Sequence, residues 1–149
     1  MSIQDRLNEL EITLPETVSP AANYVRFQTT GNLLFISGTG PGGEHPTGKV
    51  GGDITVEQAY EAARACGLQI LATAQEALGS LDRITRTVKV LGMVNADPFF
   101  QNHPQVINGC SDLLVDVLGD KGKHTRSAVG MGSLPGAISV EIEATFEFE

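Results

Sequence analysis

Hydrophobic positions along the chain change period several times, and each change marks an element. Ser2 with Asp5 three residues on resembles a capping box, and Leu7, Leu10 and Ile12 follow before Pro15. This pattern predicts a short N-terminal helix lying as an added flap. Residues 24–28 and 33–37 are rich in strand formers about the turn signal Thr30, Gly31 and Asn32, and predict a hairpin. Thr55 with Gln58 is a second capping box, Gly79 a helix stop, and Tyr60, Ala63, Gly67, Ile70, Leu71, Ala74 and Leu78 keep helical spacing between them. The small residues Ala63, Gly67 and Ala74 would let a sheet approach this long helix closely. A β-branched stretch at 84–94 reads as a strand, ended by Asp97 and Pro98 with helix-start chemistry. A second helix is predicted over 104–118, with Val106, Ile107, Cys110, Leu113, Leu114, Val117 and Leu118 on one face and Gly119 as its stop. A strand near 126–132, a turn at Leu134, Pro135 and Gly136, and a strand over 139–149 then close the chain as a hairpin.

Hairpin, helix, strand, helix, hairpin is an α+β order, expected to form a mixed β-sheet with two helices packed on one face and an extra N-terminal helix. At 149 residues the chain has the size of one domain, 1–149, with residues 1–15 as a helical extension. Seven of the fifteen residues over 38–52 are glycine, which predicts a surface loop, a candidate site loop. A sheet covered on one face leaves the other bare. Self-association through that face is the economical way to cover it, and it would place a site in the clefts between subunits.

Charge narrows the partners. Ten Lys and Arg against 18 Asp and Glu give a net charge of -8 with no basic run, so a nucleic-acid backbone is a poor partner. Cys66 and Cys110 stand far apart with no CxxC spacing, which fits a reducing compartment. The N-terminus has no apolar signal core and no run reaches membrane-spanning length, so no membrane partner and a cytoplasmic location are expected.

In the last strand Val140, Ile142, Ala144, Phe146 and Phe148 alternate with Glu141, Glu143, Thr145, Glu147 and Glu149, so one face is core and the other acidic. For any single glutamate the alternatives are a solvated face and a general base held near water. Arg126 opens the preceding strand, where a guanidinium could clamp a carboxylate with two parallel bonds or merely pair with an acidic neighbour. His45, His103 and His124 lack metal-ligand spacing and read as exposed or capping residues, and no metal is expected. Cys110 reads as a buried structural thiol. The glycine loop carries no phosphate-binding pattern.

The C-terminal string Arg126-Ser127-Ala128-Val129, then Leu134-Pro135, then Val140-Glu141-Ile142-Glu143-Ala144, resembles the signature of the RidA family, also called YjgF. Tyr24-Val25, Gly31-Asn32-Leu33 leading into Ile36-Ser37-Gly38, and Asn108 line up in order, so the resemblance spans roughly residues 20–149. It implies a chorismate-mutase-like fold and a homotrimer with sites between subunits. The implied activity is hydrolysis, without cofactor, of small reactive enamine or imine acids to keto acids and ammonia. By position Arg126 corresponds to the arginine that holds the substrate carboxylate and Glu141 to the glutamate that positions the attacking water. Tyr24, Ser37 and Asn108 correspond to site-lining polar residues. The N-terminal helix, the glycine-rich loop and Ala128, where several deaminases have cysteine, resemble the family's longer branch. Against this stands a non-catalytic module that binds a small carboxylate metabolite and needs Arg126 but not Glu141. A ribonuclease or translation inhibitor, a reading attached to some members, ranks last on charge.

Overall fold

The computed structural model describes residues 1–17, 19–20 and 22–149. Among them five strands form one mixed sheet: β1 (Phe27–Thr30), β2 (Leu33–Thr39), β3 (Ile84–Asn95), β4 (Thr125–Met131) and β5 (Val140–Phe148), in the order β1-β2-β5-β3-β4. Helix α1 is Ile3–Glu9, α2 Val56–Leu78 and α3 His103–Leu118. The two long helices pack on each other and on one face of the sheet, α2 over β2 and β5 and α3 over β3 and β4. The α+β layout expected from the pattern is therefore the observed one.

Both long helices begin and end where their chemistry dictates. Thr55 and Gln58 exchange the two bonds of a capping box, and Gly79 takes the left-handed conformation at φ 82° that closes α2. Gly119, at φ 64°, ends α3. The buried face of α3 consists of Val106, Ile107, Gly109, Cys110, Leu113, Leu114, Val117 and Leu118, and meets Val90 and Val94 of β3 in one continuous core. Tyr60 Oη donates to Asp112 at 2.7 Å and ties the helices at their solvent edge.

Four expectations are corrected. The first strand starts at Phe27 rather than at residue 24, because pairing with β2 is regular only from Phe27 opposite Ile36, and β2 shifts register between Ile36 and Thr39. The last two strands are not a hairpin: β3 lies between them, parallel to β4 and antiparallel to β5, since the connection at 132–139 carries the chain across the end of β3. Helix α1 is not a flap. Leu7 is 2% exposed in the core, Ile3 N–H donates to Asp82 Oδ1 at 2.8 Å, and Arg6 Nε donates to the Asp116 carbonyl at 2.8 Å. Asp97 and Pro98 make a turn rather than a helix start, with Phe99 N–H donating to Asp97 Oδ1 at 3.1 Å and α3 beginning five residues later.

One of the small residues of α2, Gly67, serves a different neighbour from the one expected. A methyl on Gly67 would lie 2.8 Å from Leu113 Cδ2 and 3.2 Å from Cys110 Sγ, so the close approach is to α3, not to the sheet. Gly109 is the reciprocal position, where a methyl would overlap the Tyr60 carbonyl and lie 3.0 Å from Arg64 N. Backbone cannot swing aside as a side-chain tip can. Gly109→Ala should therefore lower stability by about 1–3 kcal/mol or more, whereas Gly132→Ala, with nothing within 4 Å of the added methyl, should be near neutral. Urea unfolding of both variants checks this, and an equal effect of the two would contradict the helix-approach argument.

Candidate active site

The site residues fall into two groups, one about β2 and the central strand β5 and the other on the edge strand β4. The first surrounds the register shift of β2. Ser37 lies within it, its N–H donating to the Arg26 carbonyl at 2.9 Å and its hydroxyl to the Val25 carbonyl at 2.6 Å. These two bonds hold the 24–26 segment against β2 without ladder pairing, and so fix Tyr24 beside a cavity of about 380 Å³. Tyr24, Arg26, Ser37, Gly38, Gln69 and Thr73 line it. Glu141, on the central strand β5, reaches toward the same point: a methyl on Gly38 would overlap Glu141 Oε2. Glycine there leaves the space that the carboxylate occupies. Burial, and secondarily the neighbouring Glu143 charge, raise the Glu141 carboxyl above its ordinary value.

The second group stands on the edge strand β4. Arg126 pairs with Val90, whose side chain faces the helices, so Arg126 projects to the helical side. Its Nη1 donates to Ser111 Oγ at 3.0 Å and its Nη2 to the Pro104 carbonyl at 3.3 Å. Pro104, Asn108 and Ser111 follow one stripe of α3 at helical spacing, which places half-buried Asn108 between the two anchors.

Within one chain, then, Tyr24 and Ser37 line one cavity, Glu141 reaches Gly38 of that lining, and Arg126 is bound to the stripe of α3 that carries Asn108. Arg126 and Glu141 do not meet. Glu141 pairs with Met93 and Arg126 with Val90, so two strand spacings and three residues separate them, roughly 14 Å between Cα atoms. Glu141 also projects from the uncovered face, since Val140 and Ile142 beside it are fully buried under the helices. That uncovered face carries Phe35, Leu91, Met93 and Val129, all at least partly exposed, and a second concavity of about 400 Å³ lined by Phe35, Ser37, Lys89, Leu91 and Glu143.

Reading the sequence missed Arg26. It sits in the first cavity, Nη2 ion-paired with Glu76 of α2, and its buried Nη1 has no acceptor among the described residues. The available signal was a lone cation between the apolar Val25 and Phe27 in a chain of net charge -8. The cysteines are both fully buried, and burial pushes the Cys66 thiol up and the Cys110 thiol up to about 12, so neither is a nucleophile at neutral pH. Among the described residues no three His, Cys, Asp or Glu side chains converge as a metal site, and no helix is long and apolar enough to cross a membrane. Of the exposed and capping roles expected of His124, the structure does not show the exposed one. His124 is half-buried, with Nε2 2.8 Å from Ser111 Oγ and Nδ1 2.6 Å from the Gly122 carbonyl oxygen.

A mixed sheet with long helices on one face only places the molecule in the chorismate-mutase-like class of folds. A family model described as "YjgF/chorismate mutase-like, putative endoribonuclease" matches residues 4–139, and the chain belongs to that family. The resemblance drawn from residues 24–38 and 126–144 is thereby borne out. Protein TCP17 of Trypanosoma cruzi is 43% identical over 145 residues, 95% of this chain and 91% of that one. The structure of Atu1372 from Agrobacterium tumefaciens, a protein of unknown function, is 46% identical with a TM-score of 0.91, covering 99% of this chain and 92% of that one. A structure from Shewanella oneidensis described as a putative endoribonuclease is 28% identical with a TM-score of 0.94, covering 99% of this chain and all of that one. Since the family match begins at residue 4, all of α1 but Ile3 falls within the matched segment.

The raised Glu141 carboxyl gives a stability prediction with a definite sign. A carboxyl whose folded value exceeds its unfolded one contributes stability below the unfolded range near pH 4, and this is lost as pH rises through the folded value. Glu141→Gln removes the loss. The variant should melt above wild type at pH 7 and together with it near pH 3.5 in scanning calorimetry. A gap that is the same at both pH values, or reversed at pH 7, would contradict the burial of this carboxylate.

Proposed function

We propose that the protein hydrolyses small reactive enamine or imine acids to keto acids and ammonia, in sites completed between copies of a homotrimer. The observation that carries the reading is the division just described: a carboxylate on the uncovered face of the central strand, against Gly38 of the cavity that Tyr24 and Ser37 line, and a cation on the helical side of the edge strand, bound to α3. An interface joining one group of a copy to the other group of the next is head-to-tail, and with a three-fold rotation it closes into a trimeric ring. The uncovered sheet face, with Phe35, Leu91, Met93 and Val129, is the apolar surface such a ring would bury.

In this reading Arg126 forks onto the substrate carboxylate of one site, and Glu141 of the next copy faces the imine carbon. Glu141 takes a proton from water as the water oxygen bonds to that carbon and the C=N π pair moves to nitrogen. That proton is returned to nitrogen to give the carbinolamine; Glu141 then takes the carbinolamine hydroxyl proton and passes it to the amine, the C–N bond breaks, and ammonia leaves as the carbonyl forms. A carboxyl raised above its ordinary value is better matched to this role near neutral pH than an unperturbed one. Ligand and water supply all the atoms, so the proposal names no cofactor. The thiols of Cys66 and Cys110 suit a cytoplasmic setting. The charge of -8 argues against RNA as the substrate.

Ammonia release from freshly generated 2-imino acids tests the activity. Glu141→Gln should lower the rate about a hundredfold or more while changing keto-acid affinity little, and Arg126→Lys should lose most of that affinity, since an ammonium cannot reproduce the fork. Binding without any acceleration by the wild type would instead indicate a carboxylate-binding module. Sedimentation should give a trimer, and a monomer at micromolar concentration would remove the shared site.

A further inference from the structure

Arginine has five N–H donors and no acceptor. Where Arg126 Nη1 meets Ser111 Oγ at 3.0 Å, Arg126 must therefore be the donor, and the serine proton must point elsewhere. The partner in reach is His124 Nε2 at 2.8 Å, which makes Nε2 the acceptor and leaves the imidazole proton on Nδ1. Nδ1 is 2.6 Å from the Gly122 carbonyl oxygen, which only accepts. The donor-only guanidinium at one end and the acceptor-only carbonyl at the other are joined by one continuous assignment: Arg126 to Ser111, Ser111 to His124, His124 to the Gly122 carbonyl. The last acceptor is itself fixed, because Gly122 is buried beneath α3, with a methyl there overlapping the Leu114 carbonyl. The series leaves β4, crosses α3 and ends in the turn that follows it.

We propose that Ser111 and His124 are positioning residues, which hold the Arg126 guanidinium in advance of ligand binding so that it meets a carboxylate without losing further side-chain freedom. Two of the five donors are used, on Ser111 and on the Pro104 carbonyl, and three are left, enough for a two-bond fork. Holding a long side chain in its bound geometry increases affinity by reducing the ordering that binding would otherwise require. Ser111 and His124 touch no substrate in this account; they act through Arg126. The inference rests on the carboxylate-clamp reading of Arg126.

The test compares pairs equal in shape and different in hydrogen bonding, with pyruvate as the probe and pyruvamide as its uncharged counterpart, both followed by calorimetry. Ser111→Thr keeps the hydroxyl and Ser111→Val removes it; His124→Gln keeps an acceptor and His124→Phe removes it. Ser111→Val and His124→Phe should each weaken pyruvate about tenfold and leave the weaker pyruvamide binding unmoved. Ser111→Thr and His124→Gln should stay within about threefold of wild type. Equal losses within each pair, or losses shared by pyruvamide, would overturn the proposal by showing a packing effect, and unchanged pyruvate affinity in Ser111→Val and His124→Phe would overturn it outright. Arg126→Ala separates the two levels. If it binds pyruvate as wild type does, the clamp itself fails; if it loses pyruvate while Ser111→Val and His124→Phe keep it, the clamp stands and the positioning series alone is wrong.

Discussion

Strand β5 runs between β2 and β3, so its alternating side chains meet the helical layer on one side and, among the described residues, no covering layer on the other. Val140, Ile142, Ala144 and Phe146 are buried under α2 and α3, and a slip of one residue would exchange them for Glu141, Glu143, Thr145 and Glu147. Burying that acidic row without partners is prohibitive, so the register is fixed. Glu141 is consequently pinned to the uncovered face, beside a strand that must make room for it. The glycine at position 38 and the register shift of β2 provide that room, and the same shift ends regular pairing before Tyr24 and frees it to line the cavity.

The other group of site residues is organised by α3. Because α3 connects β3 to a parallel neighbour, β4 becomes the far edge of the sheet, and its helix-facing positions lie along the N-terminal half of α3. Arg126 is caught there by groups of that helix rather than by the acidic strand nearest in sequence. The close contact of α2 and α3 at Gly67 and Gly109 settles where α3 lies, and so where Ser111 and Asn108 stand relative to Arg126. Packing in the helical layer thus sets the geometry of the cationic group, while strand alternation sets that of the carboxylate.

Local chemistry explains why the helices and most strands were legible in the sequence. The capping box at Thr55, the glycines at 79 and 119 and the two-residue period of 140–148 are signals complete within a few residues. What was not legible depends on distant pairing. Residues 24–26 carry strand formers, yet whether they pair is decided by the register shift opposite them. Leu134, Pro135 and Gly136 do form a turn, yet that the following strand passes β3 before pairing cannot be read from it. Tyr24, Ser37, Asn108, Arg126 and Glu141 were singled out from spacing and family resemblance, whereas Arg26 depends on the cavity around it and His124 on a serine thirteen residues away.

The central claim is that Arg126 and Glu141 serve one site from different copies of the chain. Co-expression of an Arg126→Ala chain and a Glu141→Gln chain, carrying different tags and purified through both, tests it most directly. Neither chain holds both groups, but in a head-to-tail trimer that carries both tags about one site in three combines an intact arginine from one chain with an intact glutamate from the other. Imine hydrolysis should then return to a substantial fraction of the wild-type rate. If both groups served a site within one chain, the mixed assembly would be as inactive as either parent, and that result would contradict the account.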